Sequence, residues 1–111
     1  PNPPTREQLF QILENSYTVV LALDSAKNKV VGFVNALSDK VIYSYIPLLE
    51  VLPEYQKKGI GRELIKRIEN SLQNMYAIDI VCDDNVSAFY SKSDYFKLNG
   101  MVKRNYKILK K

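Results

Sequence analysis

The chain has 111 residues, a formal charge of +4, one cysteine and no histidine. That excludes an internal disulfide framework, a Cys/His zinc site and every histidine-dependent catalytic triad, so no metal is expected and proton chemistry falls to Tyr, Asp, Glu, Lys, Cys or the backbone. A content of 46% hydrophobic and 11% aromatic residues excludes disorder and fits one compact domain over residues 1–111. Pro3 and Pro4 form an extended lead-in. Thr5 and Gln8 match a capping box, and Leu9, Phe10, Ile12 and Leu13 give the following helix an apolar face up to Asn15-Ser16. Tyr17 to Leu23 and Val30 to Leu37 read as strands joined by a polar turn, and connections this short demand antiparallel pairing. Val41 to Val51 is a third strand, in which Pro47 predicts a bulge or a splayed edge.

The next helix carries Ile60, Leu64, Ile65, Ile68 and Leu72 on one stripe. Its outer face holds Glu63 and Arg67 at i,i+4 spacing. Tyr76 to Cys82 is a nearly continuous apolar strand interrupted by Asp79. A short helix then starts at Asp83-Asp84-Asn85, with Val86, Phe89 and Tyr90 inside it. Residues 95–109 read as a closing extended segment with a turn or bulge at Asn99-Gly100. The order α-β-β-β-α-β-α-β gives an α/β (α+β) fold with a mixed, mostly antiparallel central sheet flanked by helices.

Residues 101–111 hold five basic side chains and no acid, which leaves −1 for residues 1–100. Such an excess reads as a solvated tail or edge strand rather than a nucleic-acid stripe, so no nucleic-acid partner is expected. No apolar run approaches a membrane span, and no signal peptide is visible. With a free thiol, this favours the cytoplasm, and a monomer or homodimer without a membrane partner is expected. The chain opens on Pro1 rather than Met, so a start that is processed, trimmed or internal to a longer protein is expected.

The chemistry concentrates between the third strand and the second helix. A strand, a short basic loop with Gly59 and Gly61, then an amphipathic helix make an anion site. The first N–H groups of a helix have no partner inside it and lie at the positive end of its dipole. Glycines admit close backbone approach, and Lys57 and Lys58 add charge. A Walker A loop does not fit, because Gly61 is followed by Arg62-Glu63. A dinucleotide fingerprint does not fit either, because Leu64 stands where its third glycine belongs.

The run Leu49-Glu50-Val51-Leu52-Pro53-Glu54-Tyr55-Gln56, followed by Gly59-x-Gly61 and a helix, resembles the central motif of the acetyl-coenzyme A-dependent N-acetyltransferase superfamily, GNAT. Ala88-Phe89-Tyr90, on a short helix between two strands, is similar to that family's second segment. The likeness spans roughly residues 17–109 and is strongest over 49–67. It implies a short GNAT-like member without the usual first strand and helix. Asp94 stands where a glycine is usual, and Asp83 where an asparagine is, with Asn85 nearby.

The resemblance implies acetyl transfer from acetyl-coenzyme A, as co-substrate, to a small-molecule or protein amine. The backbone of Leu49 and Val51 would hold the pantetheine arm. Gln56, Lys57, Lys58, Gly59, Ile60, Gly61 and Arg62 would form the diphosphate loop, and Asn85 would add a coenzyme contact. Tyr90 would protonate the leaving thiolate. Its phenol, with an ordinary pKa near 10, is protonated at neutral pH. Glu50 is the favoured general base, ahead of Tyr45 and Asp79. Cys82 in an apolar strand reads as a small core residue, so transfer without an acyl-enzyme is expected. The alternatives are a non-catalytic acyl-coenzyme A-binding regulatory module, and a nucleic-acid-binding domain that uses the basic tail.

Overall fold

Helix α1 (Arg6–Glu14) begins at a reciprocal capping box. The Thr5 N–H donates to Gln8 Oε1 at 2.8 Å, and the Gln8 N–H donates to Thr5 Oγ1 at 3.1 Å. The last turn is closed by Asn15 and Ser16, whose side chains donate to the carbonyls of Gln11 and Ile12. The computed structural model describes residues 3–110, the side chains of Asn85, Leu109 and Lys110 excepted. Its contacts divide the chain into two compact units, one of residues 11–81 and one of the residues up to 10 together with those from 82 onward.

The larger unit holds the sheet. Strands β1 (Thr18–Asp24), β2 (Lys29–Ser38) and β3 (Tyr43–Val51) form an antiparallel meander. Helix α2 (Ile60–Ser71) then crosses over to β4 (Ala77–Asp79), which pairs parallel with β3. The strand order is β1-β2-β3-β4. The mixed, mostly antiparallel sheet expected from the sequence is therefore formed. So is the expected irregularity at Pro47. Asn35 pairs with Leu48 and Leu37 with Tyr45, so Ala36 faces two residues, Ile46 and Pro47.

Gly32 fixes which face of the sheet α2 covers. A Cβ on Gly32 would lie 3.4 Å from Leu64 Cδ1 and 3.0 Å from the Glu50 carbonyl oxygen. By strand alternation Gly32, Val34 and Ala36 face α2, and Val31, Phe33, Asn35 and Leu37 face away. Leu64, Ile65, Ile68 and Leu72 are all but fully buried, as their spacing predicts. Each such side chain contributes on the order of 2 kcal/mol. The Glu63–Arg67 pair forms at 2.8 Å on the exposed side and adds little.

Two expected strands are shorter or missing. β4 has three residues rather than the run Tyr76 to Cys82. Its ladder ends at Tyr45 opposite Asp79, where β3 enters the Pro47 bulge and stops offering a straight edge. Cys82 is consequently an exposed free thiol outside any strand, not a core residue.

In the smaller unit, α3 (Asp84–Ser91) starts after Asp83 as expected. Residues 95–105 carry no strand and no turn at Asn99-Gly100, and a 3-10 helix (Tyr106–Lys110) takes the end of the expected closing strand. Alternating apolar residues make an extended segment possible. A strand forms only where an edge with open hydrogen-bonding groups receives it.

Candidate active site

The edge of β3 beyond β4 is the first component. The Leu52 N–H donates to the Val31 carbonyl at 2.8 Å, across the β2–β3 ladder. Direction alternates along an antiparallel strand, so the N–H and C=O groups of Val51 and Leu49 point away from β2. On that side β4 has already ended at Asp79. The Leu49 N–H and C=O and the Val51 N–H thus face a position that no strand among the described residues fills, while the Val51 carbonyl accepts from Gln56. The Leu49 and Val51 side chains, opposite Val34 and Gly32, lie on the α2 face. Asn35 shapes this edge. It is fully buried, accepts the Leu48 N–H at 3.1 Å on Oδ1, and donates from Nδ2 to Ser16 Oγ at 3.0 Å.

The second component is the loop that follows. A 3-10 turn (Pro53–Tyr55) leads to Gln56, whose Nε2 donates to the Val51 carbonyl at 2.9 Å. Lys57 adopts φ 62° and Gly59 φ 87°, both left-handed. Gly59 is the N-cap of α2 and brings no capping side chain, and its carbonyl accepts the Glu63 N–H at 3.1 Å. The N–H groups of Ile60 and Gly61 stand in the first turn, where the helix supplies no acceptor. Lys57, Lys58 and Arg62 are exposed around them. The loop follows the Leu49–Val51 edge directly along the chain.

Tyr55 ties the loop to the sheet. Its hydroxyl donates to Asp24 Oδ2 at 2.6 Å, and Lys29 Nζ and Lys58 Nζ lie 5.9 Å and 5.6 Å from its ring centroid. The hydrogen bond from Tyr55 holds the Asp24 carboxyl below its ordinary 3.8 and, conversely, pushes the Tyr55 phenol above its ordinary 10. The contact therefore keeps its charge state across the neutral range. A left-handed lysine costs roughly 1 kcal/mol, and such strain persists only where neighbours over-determine it. Tyr55 and Gln56 supply that constraint.

The sheet face away from α2 carries the acid–base candidates of this unit. Glu50, opposite Phe33, is exposed there. Tyr45 faces the same side opposite Leu37, and Asp79 is its ladder partner. Tyr43 is pushed above its ordinary 10 by burial and then by its hydrogen bond to Asp79. Asp39 is held below its ordinary 3.8 by the N–H groups of Val41, Tyr43 and Ile42. A shallow groove of about 490 Å³ opens here, lined by Leu37, Ser38, Asp39, Tyr43, Tyr45 and Val81.

Tyr90 belongs to the smaller unit. It is half-buried, with Phe89 and Tyr95 edge-on at 5.0 Å and 5.7 Å. Burial, then the nearby Cys82, pushes its phenol above the ordinary 10, so it is a proton donor at neutral pH. Asp94 has φ 70°, a conformation glycine adopts without cost. The side chain of Asn85 lies outside the described residues. Sequence reasoning missed Asn35, Asp24 and the positioning part played by Tyr55. A buried amide between Val34 and Ala36 was the available signal for the first, and nothing local signals the Asp24–Tyr55 contact across 31 positions.

Comparison with known proteins adds to this geometry. The acetyltransferase (GNAT) domain family matches residues 4–107. A Deinococcus radiodurans R1 structure assigned to the acetyltransferases is 42% identical, with a TM-score of 0.91 over 96% of this chain and 74% of that one. A GNAT-family acetyltransferase from Streptococcus pneumoniae TIGR4 is 29% identical, with a TM-score of 0.78 over 91% of this chain and 80% of that one. Glucosamine-6-phosphate N-acetyltransferase from Arabidopsis thaliana shares the fold at 10% identity, with a TM-score of 0.76 over 90% of this chain and 76% of that one. No curated protein matches the chain.

Proposed function

The chain belongs to the GNAT acetyltransferase family, and from that premise we propose that it moves an acetyl group from acetyl-coenzyme A directly to an amine. The observation that carries the reading is the open edge at Leu49 and Val51, leading into the glycine-capped start of α2. An extended pantetheine arm fits the first as an added strand, and a diphosphate fits the second. Gln56 holds the turn between them, and Lys57, Lys58 and Arg62 add positive charge. Asn85, at the start of α3, is assigned a coenzyme contact on the resemblance alone.

In the reaction the acceptor ammonium first gives a proton to a carboxylate, directly or through water. The freed amine attacks the thioester carbonyl carbon, the C–S bond breaks, and sulfur keeps the electron pair. Tyr90 protonates that sulfur and the nitrogen loses its second proton. The products are an amide and a thiol, with one proton released to solvent. Glu50 and Asp79 are the carboxylate candidates for the base. The transfer gains its rate from holding two reactants in line and from polar groups aimed at the developing charge.

Thermal unfolding with and without coenzyme A, followed by acetyl transfer to an amine panel, tests the reading. A hundredfold excess over Kd should stabilise the fold by about 2.7 kcal/mol. No shift at millimolar coenzyme A, in folded protein, refutes it.

A further inference from the structure

The larger unit has a second feature at the closed end of the β3 edge. Along Val51 and Leu49 the arm would run away from the α2 loop, so its acyl end approaches the bulge at Pro47. The next rung is Tyr45 opposite Asp79, where the β3–β4 ladder stops. The groove lined by Leu37, Tyr43, Tyr45 and Val81 opens at this rung, on the face away from α2. Glu50 lies on the same face five residues from Tyr45, roughly 16 Å along an extended strand. Pro47 stands two residues from Tyr45 and three from Glu50, so the Tyr45–Asp79 rung is the nearer of the two to the bulge.

The groove's chemistry is selective. Among the described residues no lysine or arginine lines it; Asp39 lines it, and Asp79 adjoins it across the rung from Tyr45. The Asp39 Oδ1 is already occupied by three backbone N–H groups, at 2.8, 3.0 and 3.1 Å. Asp79 is exposed, hydrogen-bonded by Tyr43 and opposite Tyr45 on the last rung, so it adjoins two of the residues that line the groove. Two phenol rings flank it, and rings and carboxylate together attract an ammonium. Leu37 and Val81, 44% and 55% exposed, offer apolar surface to the rest of the ligand. A ligand carboxylate or phosphate would meet the carboxylates of Asp39 and Asp79.

We propose that this groove is the acceptor site, that Asp79 binds the acceptor's ammonium and takes its proton, and that the acceptor is a primary amine on a compact apolar body without an anionic group. The proposal rests on the acetyl-transfer reading. In the step, one N–H bond of the ammonium breaks and its proton goes to the Asp79 carboxylate; the nitrogen lone pair forms the new C–N bond as the C–S bond breaks, sulfur keeps that pair and takes a proton from Tyr90, and the nitrogen's second proton restores the one Tyr90 gave. Asp79 then passes its proton to solvent.

Amide NMR titration of the full chain with 2-phenylethylamine, with phenylalanine and with 3-phenylpropionate tests it, each with and without saturating coenzyme A. The amine alone should shift the Leu37, Tyr45, Asp79 and Val81 amides. The amino acid and the acid should leave them still at tenfold higher concentration. Asp79→Asn should weaken amine binding at least fivefold, and Leu37→Lys, which plants a cation on exposed surface, should abolish it. With acetyl-coenzyme A, Asp79→Asn should raise KM for the amine and lower kcat, while coenzyme affinity stays unchanged. Shifts centred on other residues, equal response to the acid, or an unaffected Asp79→Asn overturns the proposal. Failure of coenzyme A to bind the wild-type chain refutes the acetyl-transfer reading instead, and the amine titration without coenzyme still judges the groove.

Discussion

Replacing Asn35 is the sharpest probe of the β3 edge. Its side chain is fully buried and serves two groups, the Leu48 N–H at 3.1 Å and Ser16 Oγ at 3.0 Å. Asn35→Leu keeps the number and branching of the side-chain heavy atoms, adds some volume, and removes both partners. The Leu48 N–H, on the strand beside the bulge, then has no acceptor. An unsatisfied buried group costs about 1–3 kcal/mol, and the Ser16 hydroxyl keeps the Ile12 carbonyl as its acceptor at 2.7 Å. The loss should therefore be about 2–3 kcal/mol, or a Tm lower by roughly 10 °C. Asn35→Ala removes the same bonds but leaves space of about one water, which can bond the Leu48 N–H. It should cost less, about 1–2 kcal/mol. Urea unfolding followed by circular dichroism measures both, and an unchanged slope certifies that only stability moved. Coenzyme A affinity should fall in the same order, because the bulge sets where the Leu49 and Val51 groups point. A Leu variant within about 0.5 kcal/mol of wild type, or one more stable than the Ala variant, refutes the assignment.

Tyr90→Phe should lower kcat about 10²-fold with coenzyme affinity within a few-fold, as expected for losing a positioned acid. Unchanged kcat would leave Tyr90 as packing for Phe89 and Tyr95. Tyr55→Phe should weaken coenzyme A binding severalfold by calorimetry, and Asp24→Asn, which retains an acceptor oxygen, should weaken it less than Asp24→Ala. Identical affinities in all three would show that the loop holds its shape without the Asp24 contact. Asp94→Gly should stabilise the chain by about 0.5–1 kcal/mol in thermal unfolding, since it relieves the left-handed φ of 70° at some cost in unfolded-chain entropy.

Much of this arrangement is legible in the residues, because the signals are local. The capping box at Thr5, the two short antiparallel turns, the Pro47 bulge and the α2 stripe depend only on neighbours in sequence. The loop was readable for the same reason, since Gly59 needs its positive φ whatever surrounds it. The lengths of β4 and of the segment after Asp94 were not readable. Whether Ile80 to Cys82 or Phe96 to Val102 forms a strand depends on an edge elsewhere to receive it. Apolar alternation records that a residue is suited to a strand, and says nothing of the partner. Asn35 carried no sign of its part, since its partners Leu48 and Ser16 lie 13 and 19 positions away.

The three-rung length of β4 has a kinetic side. β1, β2 and β3 are joined by short turns, so their ladders close over small sequence separations. The Tyr43–Ala77, Ser44–Ile78 and Tyr45–Asp79 rungs must await the whole α2 crossover. Beyond the rungs, the Ser44 hydroxyl on the Ala77 carbonyl at 2.7 Å and the Ala77 N–H on the Ile42 carbonyl at 3.0 Å help to fasten β4. Amide hydrogens of Ala77 to Asp79 should thus exchange with deuterium well before those of Val31 to Ala36, through an opening that leaves the meander closed. Each such opening would lengthen the bare edge of β3 from Pro47 back to Tyr43. The fold's least protected ladder is therefore the one that sets how far an added strand can reach.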